Sequence, residues 1–225
     1  MKNYVGAIFL ATVVTLPEAM GQERDVCEYR AASEAEEGRT WSWTFPVGTK
    51  LRGDNPLDID GDGKPELMKV IAEVQRDYAV NTVTGQRSDK THCWFRTHLE
   101  VTTRDGRVVY KDEWSTKYED MAVLLETHGA TSPDDYFARF GRHKAYFSSG
   151  VESLSSKEAE IRPEAIKWSL AAQGIKGAKP EQILAELSSL KTIRIFTYRA
   201  EWREDIRIAA YVPSIRRAVV IQVGY

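Results

Sequence analysis

Large apolar and small polar side chains alternate from Trp41 to Phe45, the two-residue period of a half-buried strand. The same period runs through residues 92–101. Cys93, Phe95, Thr97, Leu99 and Val101 fall on one face, and His92, Trp94, Arg96, His98 and Glu100 on the other. Asp105-Gly106 then reads as a two-residue type I′ hairpin turn, which needs positive φ at both positions. Closing on it sets Val101 opposite Tyr110, Thr103 opposite Val108, Glu100 opposite Lys111 and His98 opposite Glu113. Apolar residues then meet on one face and opposite charges on the other. Towards the C-terminus Ile193/Ile195, Ile206/Ile208/Ala210/Val212 and Val219/Ile221/Val223 alternate with polar neighbours, and Pro213-Ser214 marks the last turn.

Between these stretches the period becomes helical. Ser132-Pro133-Asp134-Asp135 offers an N-cap, a Pro at the first helical position and an acid at the third. Tyr136, Phe137, Phe140 and Phe147 follow roughly at helical spacing. Pro163-Glu164 opens a second helix through Ile166 and Leu170, stopped near Gly174. Pro180-Glu181 opens a third, with Ile183, Leu184, Leu187 and Leu190 as its apolar stripe. Residues 22–40 are polar and acid-rich, a solvated lead-in or short helix, and Gly48, Gly53 and Pro56 read as loop. Strands, then helices, then strands predict an α+β fold, with a mainly antiparallel sheet and two to three helices in the middle. Short links predict one domain over residues 22–225.

Composition narrows the class. Six Trp, ten Tyr and seven Phe are enough to fill a core, so a disordered chain is excluded. A formal net charge of −2 provides no field that would draw the chain to nucleic acid or anionic lipid.

The N-terminus reads as an export signal. Lys2 is a short positive region, Tyr4 to Leu16 is uncharged and mostly apolar, and Pro17 ends the run. Ala19-Met20-Gly21 puts small residues at the −3 and −1 positions, so residues 1–21 read as a signal peptide cut before Gln22. The run is shorter than the about 20 residues a spanning helix needs. No later stretch reaches that length, so no transmembrane segment is expected after cleavage, and the location expected is periplasmic or secreted. In such an oxidising compartment Cys27 and Cys93 are expected to pair, with two independent buried thiols as the alternative. The link would tie the mature N-terminus to a central strand. Closing a loop of about 67 residues contributes at most about 4 kcal/mol by loop entropy.

The densest chemistry is Asp58-Ile59-Asp60-Gly61-Asp62-Gly63-Lys64-Pro65-Glu66-Leu67. Asp58, Asp60 and Asp62 occupy loop positions 1, 3 and 5, and Gly63 at position 6 permits a sharp turn. Lys64 would give its backbone carbonyl, and Glu66 a carboxylate directly or through water. This all-oxygen set suits Ca²⁺ better than Mg²⁺, which prefers a rigid octahedron and keeps its waters. The bland alternative is a solvated acidic turn. The segment resembles the calcium-binding loops of FG-GAP and VCBS repeats, whose pattern is Asp-x-Asp/Asn-Gly-Asp-Gly-x-x-Asp/Glu-Leu. The resemblance covers about ten residues and implies a calcium site. It does not bring the β-propeller of those families, because the loop occurs here once. EF-hand and dockerin loops share the first six positions but carry an acid at position 12, where this chain has Lys69. Met68, Val70, Ala72 and Val74 then alternate like a strand, although Leu67, Val70, Ile71 and Val74 would also suit a helix.

Other signals are weaker. Arg52-Gly53-Asp54 reads as a turn leading into the acidic loop. His92, His98, His128 and His143 form no metal-binding spacing and read as surface histidines. Ser188-Ser189-Leu190-Lys191 closes a helix instead of opening one and lacks the companion motifs of a serine acyl-enzyme. The alternating end at Val219–Tyr225 is similar to the last strand of an outer-membrane barrel, yet residues 133–190 read as helices and supply no barrel strands. The function expected is therefore an exported calcium-binding protein, a non-enzymatic binding or adaptor module for an unknown protein or glycan. A secreted hydrolase acting on glycan or cell wall, with calcium as structural support, is the alternative.

Overall fold

The computed structural model describes residues 25–32, 38–80, 86–140, 147–153, 161–200 and 206–224. The signal peptide expected at 1–21, and His143, lie outside the described residues. The strands are β1 (Val26–Ala32), β2 (Thr40–Pro46), β3 (Lys50–Leu57), β4 (Glu66–Val80), β5 (Arg87–Thr102), β6 (Val108–Lys117), β7 (Phe147–Ser153), β8 (Thr192–Arg199), β9 (Ile206–Val212) and β10 (Arg217–Gly224). The helices are α1 (Tyr118–His128), α2 (Pro133–Arg139), α3 (Pro163–Ala172) and α4 (Pro180–Ser189). The strands form three antiparallel sheets, ordered β1-β2, β3-β4-β5-β6 and β10-β9-β8-β7.

This corrects the α+β expectation: the chain is mainly β, with four short helices among the described residues. Three segments account for the change. Val26–Ala32, read as part of a solvated lead-in or short helix, pairs with β2 along its whole length. Phe147, read at helical spacing after Phe140, instead opens strand β7. Lys50–Leu57, read as loop and turn, is strand β3. Pro56 fits there because β3 is an edge strand, where a missing N–H breaks no ladder on the open side. Gly53 fits because α2 packs on it: a Cβ at this position would clash with the Phe137 carbonyl oxygen. Arg52-Gly53-Asp54 therefore lies in a strand.

The β5–β6 hairpin keeps most of the expected register: Val101↔Tyr110, Glu100↔Lys111 and His98↔Glu113. Thr102, not Thr103, pairs with Val108, after a bulge. Only Gly106 of the turn has positive φ, so the turn is not type I′. Instead Gly106 N–H donates to Thr103 O and Thr103 N–H donates to Arg107 O, a three-residue loop with Gly at the left-handed position.

The main core lies between the sheets. Trp41 and Trp43 of β2, Met68, Val70, Ala72 and Val74 of β4, and Phe95, Leu99 and Val101 of β5 meet Phe137 of α2 and Phe196 and Tyr198 of β8. An aromatic chain threads it: Tyr29 stacks on Trp43 at 4.4 Å, Trp43 meets Tyr118 at 6.4 Å, and Tyr118 stacks on Phe95 at 4.5 Å. Geometries of this kind add about 0.5–1.5 kcal/mol per pair beyond area burial. Cys27 and Cys93 are joined by a disulfide that ties β1 to central β5. The sheet β10-β9-β8-β7 is covered on its other side by α3 and α4, where Ile166, Leu170, Ile183 and Leu187 pack on Ile193, Ile195, Val212, Val219 and Ile221. Helix α2 starts as expected, with Ser132 Oγ accepting from Asp135 N–H at 3.2 Å.

Candidate metal centre

The acidic loop joins edge strand β3 to β4, and the ladder pair Leu57↔Glu66 closes its base. Ile59 is buried and anchors the loop from within. Gly61 and Gly63 have φ of +82° and +80°, the left-handed region that side chains resist, so these two glycines allow the chain to fold on itself. Each carboxylate turns one oxygen to the backbone. Asp58 Oδ1 accepts from Gly61 N–H at 2.7 Å, Asp60 Oδ1 from Asp62 N–H at 3.1 Å, and Asp62 Oδ1 from Lys64 N–H at 2.7 Å. Glu66 Oε2 accepts from Ile59 N–H at 2.8 Å across the loop.

Of the four carboxylates among the five expected ligands, the structure gathers three. Asp58, Asp60 and Glu66 each offer a carboxylate oxygen, and these oxygens lie within 4.8 Å of one another. Asp62 is not in this group; its Oδ2 lies 3.9 Å from Nζ of its own neighbour Lys64, whose side chain is exposed. The trio is a hard, all-oxygen donor set of the kind divalent cations take, and it contains no nitrogen or sulfur to favour a softer metal. It is not specific to Ca²⁺ on geometry alone. Glu66 is the buried member at 4% exposure. Burial pushes its carboxyl above the ordinary carboxylate range, Asp60 and Asp58 add to the rise, and the Ile59 hydrogen bond opposes it. A cation among the three would offset that cost.

The neighbours are also charged. Arg194 of β8 reaches across from the other four-stranded sheet: its Nη1 lies 3.7 Å from Asp58 Oδ2, and its side chain covers Gly61. The β5–β6 turn stands on another side, and Asp60, Glu66, Asp105 and Arg107 line a shared cleft of about 300 Å³.

A second polar cluster gave no signal in the sequence. Asp112 of β6 accepts from Arg207 Nη1 of β9 at 2.5 Å and from the Tyr198 hydroxyl of β8, which also meets the Tyr110 hydroxyl. All four residues are buried. The members are 86–95 residues apart for the Asp112 contacts, a separation no local motif reveals. The histidines divide: His98 is exposed and sits 3.2 Å from Glu113, whereas His128, expected on the surface, is buried beside Tyr136. No helix among the described residues is long and apolar enough to cross a membrane. No protein-family model, curated protein or solved structure matches the chain.

Proposed function

We propose that the chain is an exported calcium-binding protein of the periplasm or extracellular space, acting as a non-enzymatic binding or adaptor module for a protein or glycan. One Ca²⁺ on the 58–66 loop steadies it. The observation that carries this reading is the convergence of Asp58, Asp60 and Glu66 on the link between two paired strands. Asp62 and the Lys64 carbonyl would join as the loop tightens around the ion. The cation cancels carboxylate repulsion and staples an edge strand to its sheet. The other clustered carboxylates support binding over hydrolysis, because Asp112 is tied to Arg207 and Glu113 to Arg96.

A thermal melt with Ca²⁺ and with chelator tests the reading. Free Ca²⁺ at a hundredfold excess over Kd adds about 2.7 kcal/mol by mass action. For a domain of this size that raises Tm by about 5–11 °C. Asp60→Ala abolishes the rise. Coincident melts of the unmutated protein in calcium and chelator would refute the metal site.

A further inference from the structure

The outer face of the sheet β3-β4-β5-β6 carries two clefts that share Glu113. One, of about 370 Å³, is walled by Tyr78, Trp94, Arg96 and Ser115. The other, of about 310 Å³, runs between His98, Glu100 and Lys111 on the strands and Trp168 on α3. Together they form one furrow along β5. From Trp94 to Leu99 the strand advances about 17 Å, at roughly 3.4 Å per residue. Aromatic rings stand at both ends of it. Tyr78 and Trp168 are 41% and 42% exposed, two of the most exposed large apolar side chains among the described residues.

The rings are held on rigid elements by cations: Arg87 lies over Tyr78 at 4.3 Å, Lys117 over Trp94 at 5.6 Å and Arg207 over Trp168 at 5.0 Å. The floor between them is charged, but its charges answer one another. Glu113 Oε1 accepts from Arg96 Nε at 2.5 Å, Glu113 Oε2 lies 3.2 Å from His98 Nδ1, Asp77 pairs with Arg87 at 3.2 Å, and Glu100 stands opposite Lys111. A floor neutralised in this way has no stripe of one sign for a nucleic acid backbone or a strongly charged peptide. It retains flat arrays of donors and acceptors between aromatic platforms.

An uncharged polysaccharide complements this surface. Its rings present apolar C–H faces to aromatic side chains, and its equatorial hydroxyls both donate and accept, matching carboxylate–guanidinium and carboxylate–imidazole pairs. A protein ligand would call instead for a contiguous apolar centre, and this furrow has isolated rings separated by polar groups. We infer that the furrow from Tyr78 and Trp94 to Trp168 binds a linear, uncharged polysaccharide chain. This names the ligand class of the binding module proposed above and rests on the part of that reading that the chain acts by binding.

The test is calorimetric titration of the protein in calcium with cellohexaose and chitohexaose, beside a panel of linear peptides, with melts to verify folding. Trp94 and Trp168 stand at the furrow, so Trp94→Ala and Trp168→Ala are each expected to weaken saccharide binding at least tenfold with native-like melts, and the double variant to abolish it. Trp94→Phe retains a ring and is expected to rescue most of the affinity. The Asp60→Ala variant, with the acidic loop broken and the furrow intact, is expected to bind saccharide normally below its melting temperature, so loss of the calcium effect alone leaves this inference standing. No saccharide binding by the folded protein, binding that survives the double Trp substitution, or binding of peptides only would overturn it.

Discussion

The buried pair Asp112–Arg207 joins the two four-stranded sheets and allows a quantitative test of how they are held. Their side chains are 3% and 8% exposed. Replacing Arg207 with Met keeps the apolar stem but leaves a buried carboxylate, held by the Tyr198 hydroxyl and the Glu113 N–H, without its counter-charge. Breaking one side of a buried pair costs about 3–5 kcal/mol. That is a large share of a total stability of about 5–15 kcal/mol. In Tm it corresponds to a fall of about 6–20 °C for a chain of this size. Asp112→Leu is expected to cost less, because the guanidinium it releases still rests over Trp168. The double variant Asp112→Leu/Arg207→Met leaves neither charge buried and is expected to be more stable than Arg207→Met alone. Urea unfolding of the four proteins measures the cycle, with equal m-values as the check that the same transition is compared. An Arg207→Met loss below about 1 kcal/mol would refute the reasoning, because a stranded buried carboxylate costs more than that. So would a double variant whose loss equals the sum of the singles, because the two charges would then be uncoupled.

Two further substitutions test the packing. Gly53→Ala adds a methyl against the backbone carbonyl of Phe137 and is expected to destabilise by about 1–3 kcal/mol in urea unfolding; a gain, as for an unhindered strand glycine, would show that α2 does not press on β3. Cys27→Ser/Cys93→Ser opens a closure of 66 residues and is expected to cost about 2–4 kcal/mol, read as a drop in urea midpoint that reduction of the unmutated protein reproduces.

The legible parts of the fold were those where one face meets water. β5 and β6 bury Phe95, Leu99 and Val101 and expose Arg96, His98 and Glu100, so period two is written in the residues and the register follows. The sheet β10-β9-β8-β7 is different. Strands β8, β9 and β10 are buried on both faces, and Phe196, Ala209, Ala218 and Val220 point to the main core while Ile195, Val219 and Ile221 point to α3 and α4. Alternation located those strands but could not reveal that both faces are inside. β3 was hidden by its own punctuation: Gly53 and Pro56 normally interrupt strands, and here an edge position and a close helix make both admissible. α1 gave no start signal, since it follows β6 directly, with Lys117 at its cap and no side-chain cap. The α+β reading of a mainly-β chain came from β1, taken as a lead-in or short helix, from β3, taken as loop, and from Phe147 of β7, placed at helical spacing.

The candidate site shows the same division between local and assembled information. Spacing brought Asp58, Asp60 and Glu66 into one reading because the loop that joins them is nine residues long and its glycines dictate its path. Spacing could not foresee that Asp62 would turn to Lys64, or that Arg194 would arrive from another sheet to lie against Asp58. That arginine sets the terms of the metal question. A guanidinium 3.7 Å from Asp58 already offsets part of the repulsion among the carboxylates, so a cation must outcompete or displace it to gain the full set of oxygens. The acidic loop and the sheet carrying Arg194 are thus coupled through one residue. Arg194→Met is expected to lower the Kd for Ca²⁺ in calorimetric titration and to lower the urea midpoint in chelator; an unchanged Kd would show that the guanidinium does not compete for the carboxylates.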